Sequence, residues 1–194
     1  MGVSSYYLCK TSGGILMNKK LTPEQQKIVD IWVKHTMCEF ETKDVEETMH
    51  TMNERPHVNH VPVMTGGFGR DNVQNFYSKY FIPNMPKDFE LMLISRTVSS
   101  DTIVDEFIVE FTHSIDMPWM LPGIPPTGKK VEIPTVAIVG FKDGKITSEH
   151  IYWDQASVLV QIGVLNADNL PVAGVETARK VLDPSLPSNG LMKR

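Results

Sequence analysis

From Ile146 to Asp154 the chain reads I-T-S-E-H-I-Y-W-D, and groups able to hold or move a proton recur there at every second residue. On a β-strand, positions i, i+2 and i+4 share a face, so His150, Tyr152 and Asp154 present an imidazole, a phenol and a carboxylate in a row with Ile146 and Ser148. Thr147, Glu149, Ile151 and Trp153 form the other face. A carboxylate set in an apolar wall has its pKa raised toward neutrality, where it can take a proton from a carbon next to a carbonyl. A neighbouring acid then serves the oxygen. Asp154 is therefore expected to be the base, His150 or His113 its hydrogen-bond partner or the acid, and Tyr152 the group that orients the substrate oxygen. Asp105, on a neighbouring strand, is a second carboxylate candidate. A structural role competes with this one: Asp154 directly precedes Gln155-Ala156-Ser157, where an Asp makes a good helix N-cap.

The elements that must position these groups are legible as periodicities. Asp143-Gly144 predicts a tight hairpin turn ahead of the strand, and an apolar helix over 155–165 follows it. Phe89–Val98 and Thr102–Ile115 alternate as strands, with Val131–Phe141 as a third. In the second of these, Ile103, Asp105, Phe107, Val109, Phe111 and His113 share the more apolar face and are expected to point inward. Upstream the period changes to 3.6. Thr22-Pro23-Glu24-Gln25 is a capping-box start, and Ile28, Ile31, Trp32 and His35 form its buried stripe. His35 and His50 read as hydrogen-bonded core or surface histidines. A second helix starts near Asp44 and buries Val45, Met49 and Met52. A third, over 70–82, carries Val73, Phe76, Tyr77, Tyr80 and Phe81.

Pro56–Gly69 reads as an extended, turn-rich pocket rim. His57 and His60 are spaced H-x-x-H, but on extended backbone they point to opposite faces, so no shared metal is expected. The proline-rich segment 116–130 carries Met117, Trp119, Met120 and Leu121, which suits a lid over an apolar cavity or a dimer contact. The residues expected to touch a bound molecule are Tyr152, His57, His60, Trp32, Phe76, Tyr80 and Trp119.

A formal net charge of -4 over 194 residues makes no electrostatic case for nucleic acid or a membrane surface. Two cysteines, Cys9 and Cys38, are too few for a disulfide framework, so a cytoplasmic location is expected. The length and the order of elements, helices first and then a meander of strands, predict an α+β domain over 18–170, between an N-terminal extension at 1–17 and a C-terminal tail at 171–194. No cofactor is expected.

Ile124-Pro125-Pro126-Thr127-Gly128-Lys129, then Asp143-Gly144-Lys145-Ile146, Glu149-His150, Asp154 and Gln161-Ile162-Gly163, together resemble the SnoaL-like polyketide cyclase family of the nuclear-transport-factor-2-like superfamily. Phe111-Thr112-His113 is similar to that group's Gly-Thr-His, with Phe in place of Gly, and Ile162 stands where the family has Leu. The resemblance implies a cone-shaped, curved antiparallel sheet with N-terminal helices packed over it around a hydrophobic pocket, a cystatin-like roll, often as a homodimer. It also implies that the carboxylate ahead of the last helix, here Asp154, is the acid/base of an intramolecular aldol ring closure. The function expected is a cofactor-free acid/base enzyme on a small hydrophobic carbonyl compound, by cyclisation, dehydration or isomerisation. The alternative is a non-catalytic small-ligand-binding or dimerisation module of the same fold. A nucleophile elbow of the G-x-S-x-G type, as a hydrolase of that class would need, is absent from the sequence.

Overall fold

Thr22 opens the first helix as expected: its side chain accepts from Gln25 N–H, and Gln25 returns a bond to Thr22 N–H. The computed structural model describes residues 21–193, so the extension expected over 1–17, with Cys9, lies outside the described residues. Helix α1 spans Pro23–Met37 and runs into a π-helical turn, Cys38–Thr42, that ends at left-handed Lys43. Asp44 caps α2, Val45–His50. The segment expected to be an extended, turn-rich rim forms two strands, β1 (Met52–His60) and β2 (Thr65–Phe68). Helix α3 is Arg70–Phe76, shorter than its periodicity predicts, because a π-turn (Tyr77–Phe81) and a 3-10 turn (Ile82–Asn84) take over its second half. Strands β3 (Glu90–Val98), β4 (Thr102–Thr112), β5 (Lys130–Lys142) and β6 (Lys145–Trp153) follow, then α4 (Gln155–Gln161) and α5 (Glu176–Leu182).

The six strands form one curved sheet in the order β2-β1-β6-β5-β4-β3. Every pair is antiparallel except β1 and β6, whose parallel pairing needs the long crossover that β2 to β5 supply between them. The tight turn before β6 has the two left-handed residues expected of it, Asp143 at φ 52° and Gly144 at φ 71°. Gly163, at φ 76°, stops α4 short of the expected Leu165. The Gln161 side-chain amide donates to Glu132 O and accepts from Glu132 N–H, continuing the β5 ladder beyond the end of β6. Both α4 and α5 pack on β5, and Ala178 of α5 is fully buried, so part of the expected tail belongs to the folded body. No described helix is long and apolar enough to cross a membrane.

One irregularity decides what faces the interior. Gly140 pairs with Ser148 and Phe141 with Ile146, so Thr147 is an extra residue on β6. A Cβ on Gly140 would lie 2.7 Å from Ser148 Oγ and 3.0 Å from Thr147 Oγ1, so a larger residue there would push both hydroxyls aside. The extra residue inverts the alternation of everything after it. Ile146 is buried, and so are Glu149 and Trp153, while Tyr152 is exposed. The strand therefore turns Glu149, Ile151 and Trp153 inward and His150, Tyr152 and Asp154 away, the reverse of the expected arrangement.

Candidate active site

The concave side of the sheet, α1 and the two π-turns line a cavity of about 80 Å³. Its wall is mostly apolar, with Phe40, Phe81, Phe89, Leu91, Phe107 and Val109 among the lining residues. The proline-rich segment supplies a roof rather than an exposed lid. Met117, Trp119, Met120 and Leu121 are all buried. Trp119 Nε1–H donates to Asn84 O at 3.2 Å, and the Thr65 hydroxyl donates to Trp119 O at 2.6 Å.

Into this wall α1, its π-turn, the second π-turn and β6 bring a cluster of ionisable groups. His35 and Glu39 are one helical turn apart, and His35 Nε2 lies 3.1 Å from Glu39 Oε1 and 3.1 Å from Glu149 Oε1. The Tyr77 hydroxyl donates to Glu149 Oε1 at 3.2 Å. On the other side of the ring, Nδ1 is 2.6 Å from Thr51 Oγ1, whose own proton goes to Thr48 O. Thr51 must therefore accept, which makes Nδ1 the N–H and aims Nε2 at the two carboxyls. Glu39 and Tyr77 both sit in π-turns, a deformation that recurs at functional sites. Glu39 and Glu149 line the cavity.

Burial pulls His35 toward its neutral form, but the charges of Glu149 and Glu39 outweigh it and raise its pKa to about 10. Burial pushes the Glu39 carboxyl upward against the opposing pull of His35. Burial and the two glutamates hold the Tyr77 phenol well above its ordinary range, so it remains a donor. The cluster is an imidazolium between two carboxyls, one of which is biased toward holding a proton. His35, Glu39 and Glu149 are also the described group whose donor atoms, within 4.8 Å of one another, have the spacing of cation ligands. A cation there would have to displace the proton on Nε2, which His35 retains at neutral pH.

The second carboxylate expected, Asp105, is buried on the inward face of β4 and lines the cavity. It is already satisfied. Arg96 Nε donates to Oδ1 at 2.7 Å and Arg96 Nη2 to Oδ2 at 2.6 Å, and Trp32 Nε1 adds a third bond at 2.8 Å. Three donors make Asp105 an anchor for Trp32.

Asp154 is exposed and accepts from Ala156 N–H and Ser157 N–H, the N-cap role that competed for it. It does not line the cavity, and neither do His150 and Tyr152. His150 instead meets His57 at 3.4 Å. His113 is buried beside Thr127 and also stays out of the lining, and Tyr80 is exposed. Phe76 packs on His60 without reaching the cavity. Trp32, His60 and Trp119 do line it. Glu149, Glu39 and Tyr77 were not among the expected site residues, and His35 was expected to be a hydrogen-bonded core or surface histidine. The signal available was the His35-x-x-x-Glu39 spacing on a helix.

Asp154→Ala is expected to lower unfolding stability by about 1 kcal/mol through the lost cap. Urea denaturation measures it, and a loss several times larger would mean that Asp154 holds more than the helix end.

Two buried histidines bracket the pH of maximum stability. His35 has its folded pKa raised to about 10 from 6.5, so its contribution is complete below pH 6.5 and is lost as pH rises through 10. His60 is depressed by burial to about 4 from 6.5, so its contribution is complete above pH 6.5 and is lost as pH falls through 4. Thermal midpoints across pH 3–11 are expected to peak near 6.5, and His60→Phe is expected to flatten the acid limb. An unchanged acid limb in that variant would remove His60 as its cause.

Residues 33–162 match the family model for SnoaL-like polyketide cyclase, more than half of the chain. TsrD from Streptomyces laurentii superposes with a TM-score of 0.58 at 16% identity, over 75% of this chain and 100% of that one. A protein described as a SnoaL-like polyketide cyclase from Jannaschia sp. CCS1 gives 0.58 at 17% identity, over 76% of this chain and 99% of that one. A nuclear-transport-factor-2-like protein from Burkholderia pseudomallei K96243 gives 0.54 at 16%, over 71% and 98% respectively. At these identities the structural likeness establishes the fold. No curated protein matches the sequence.

Proposed function

This chain belongs to the SnoaL-like polyketide cyclase family, and we propose that it is a cofactor-free acid/base enzyme on a small hydrophobic carbonyl compound, with Glu149 in the role expected of Asp154. The observation that carries the proposal is the pair of carboxyls, Glu149 and Glu39, bound to one buried imidazolium in the wall of an apolar cavity. Glu149 takes the proton from the carbon next to the substrate carbonyl. In an aldol closure the resulting carbanion adds to a second carbonyl of the same molecule, and Glu39, biased toward its protonated form, gives its proton to the alkoxide. The proton on Glu149 returns to Glu39 across His35, which touches both. His35 also compensates the charge of the carboxylates, and Tyr77 orients Glu149. Dehydration or isomerisation would use the same first step.

That common step is the test. Hydrophobic β-keto esters in deuterated buffer containing EDTA exchange their α-protons slowly, and NMR follows the rate. The protein is expected to accelerate exchange, Asp154→Asn to keep the acceleration, and Glu149→Gln to lose it. A protein that binds the ester without accelerating exchange would be a ligand-binding module.

A further inference from the structure

Among the described residues, three buried side-chain atoms have no hydrogen-bond partner: His60 Nδ1, His113 Nε2 and Thr135 Oγ1. Leaving such atoms unpaired in the interior is costly, and each one calls for a partner. Two of the three belong to residues that line the cavity, His60 and Thr135, and neither is used by the acid/base cluster. They come from different strands on the two sides of β6. His60 of β1 pairs with Ile151, and Thr135 of β5 pairs with Trp153. His60 is 4% exposed and Thr135 3%, so bulk solvent does not satisfy them. Around the His60 ring stand Phe76, Phe81, Trp119 and Trp153, with centroids 5.3 to 5.7 Å away, an apolar setting that keeps the imidazole uncharged.

We propose that His60 Nδ1 and Thr135 Oγ1 mark an oxygen-binding end of the cavity, each able to bond a hydroxyl or carbonyl of the bound molecule. An imidazole nitrogen and a hydroxyl together can offer one donor and one acceptor, which suits either group. The subsite is separate from the reacting carbonyl. Ile151 and Trp153 lie two and four residues beyond Glu149 on β6, roughly 7 and 14 Å along the strand. A substrate whose acidic carbon reaches Glu149 therefore carries a second oxygen toward the other end of an apolar body. The substrate class is a hydrophobic carbonyl compound oxygenated at two separated positions. This rests on the cavity being the ligand site proposed above, but not on its acid/base chemistry.

Titration calorimetry with two probes of one shape, p-cresol and toluene, tests the subsite. The wild-type protein is expected to favour p-cresol by about tenfold, the worth of one good hydrogen bond. Thr135→Val, nearly isosteric, should cut that preference about threefold, and His60→Phe should abolish it, both with toluene affinity nearly unchanged. In the wild-type protein p-cresol should shift the His60 Nδ1 resonance in nitrogen-15 NMR, and toluene should not, a readout that needs no variant to fold. Equal affinity for the probes, no binding of either, or a preference unchanged in both variants overturns the subsite. A preference lost only in Glu149→Gln would place the hydroxyl at the carboxyl cluster and overturn the subsite while leaving the proposed function standing. An intact preference in a protein that does not exchange α-protons would do the opposite.

Discussion

Glu149→Gln is expected to slow protein-catalysed α-proton exchange by roughly a hundred- to ten-thousand-fold, the usual worth of a positioned general base. The substitution isolates the chemistry. Gln keeps the size of Glu and can still accept the Tyr77 hydroxyl proton at its carbonyl oxygen, but it cannot take a proton from carbon. It also leaves His35 beside Glu39 as one cation and one anion, so the cluster stays charge-matched and the fold should persist. Glu39→Gln removes the acid and keeps the base. It should retain more of the exchange rate than Glu149→Gln while losing any full cyclisation that needs the oxygen protonated. Equal exchange in the wild type and Glu149→Gln, with urea midpoints alike, would take Glu149 out of the mechanism.

The largest expected effect on stability comes from the other carboxylate of the cavity wall, Asp105. Arg96→Ala should destabilise the fold by about 3–5 kcal/mol, the cost of stranding one partner of a buried ion pair. Asp105 would keep only the Trp32 N–H of its three donors, and its side chain is 4% exposed. The paired replacement Arg96→Met with Asp105→Leu should recover much of that loss, because the desolvation penalty leaves together with the attraction. Urea denaturation of the three proteins decides it. A loss below about 1 kcal/mol in Arg96→Ala would mean that water reaches Asp105 and the pair is worth no more than a surface one.

Asp105 and Glu149 differ in how far their inward placement could be foreseen. Asp105 was legible because β4 alternates without interruption past it, so the apolar face of Ile103, Phe107 and Val109 carries it inward. Glu149 was not, because one extra residue at Thr147 shifts the register between β5 and β6. Nothing within β6 itself announces that bulge. Its counterpart is across the sheet, at Gly140, where the absence of a side chain leaves room for the Thr147 and Ser148 hydroxyls. The parallel pairing of β1 was equally hidden, since Pro56 and the glycines of β2 read locally as loop, while in the sheet β1 lies between β2 and β6.

By itself, then, the chain of residues determined the helix starts, the tight turn at Asp143-Gly144, the strands from Glu90 onward, the apolar interior and the family to which they belong, because caps, left-handed turns and periodicities are short-range in origin. It also held both roles of the Ile146–Asp154 run without choosing between them. Tertiary structure made the choice. A bulge between β5 and β6 turned the row of His150, Tyr152 and Asp154 outward and Glu149 inward. Two π-turns then brought Glu39 and Tyr77, more than 70 residues away from Glu149 in the chain, to the same imidazole. Which carboxyl meets which cavity is a long-range fact, decided by packing between elements that share no local signal.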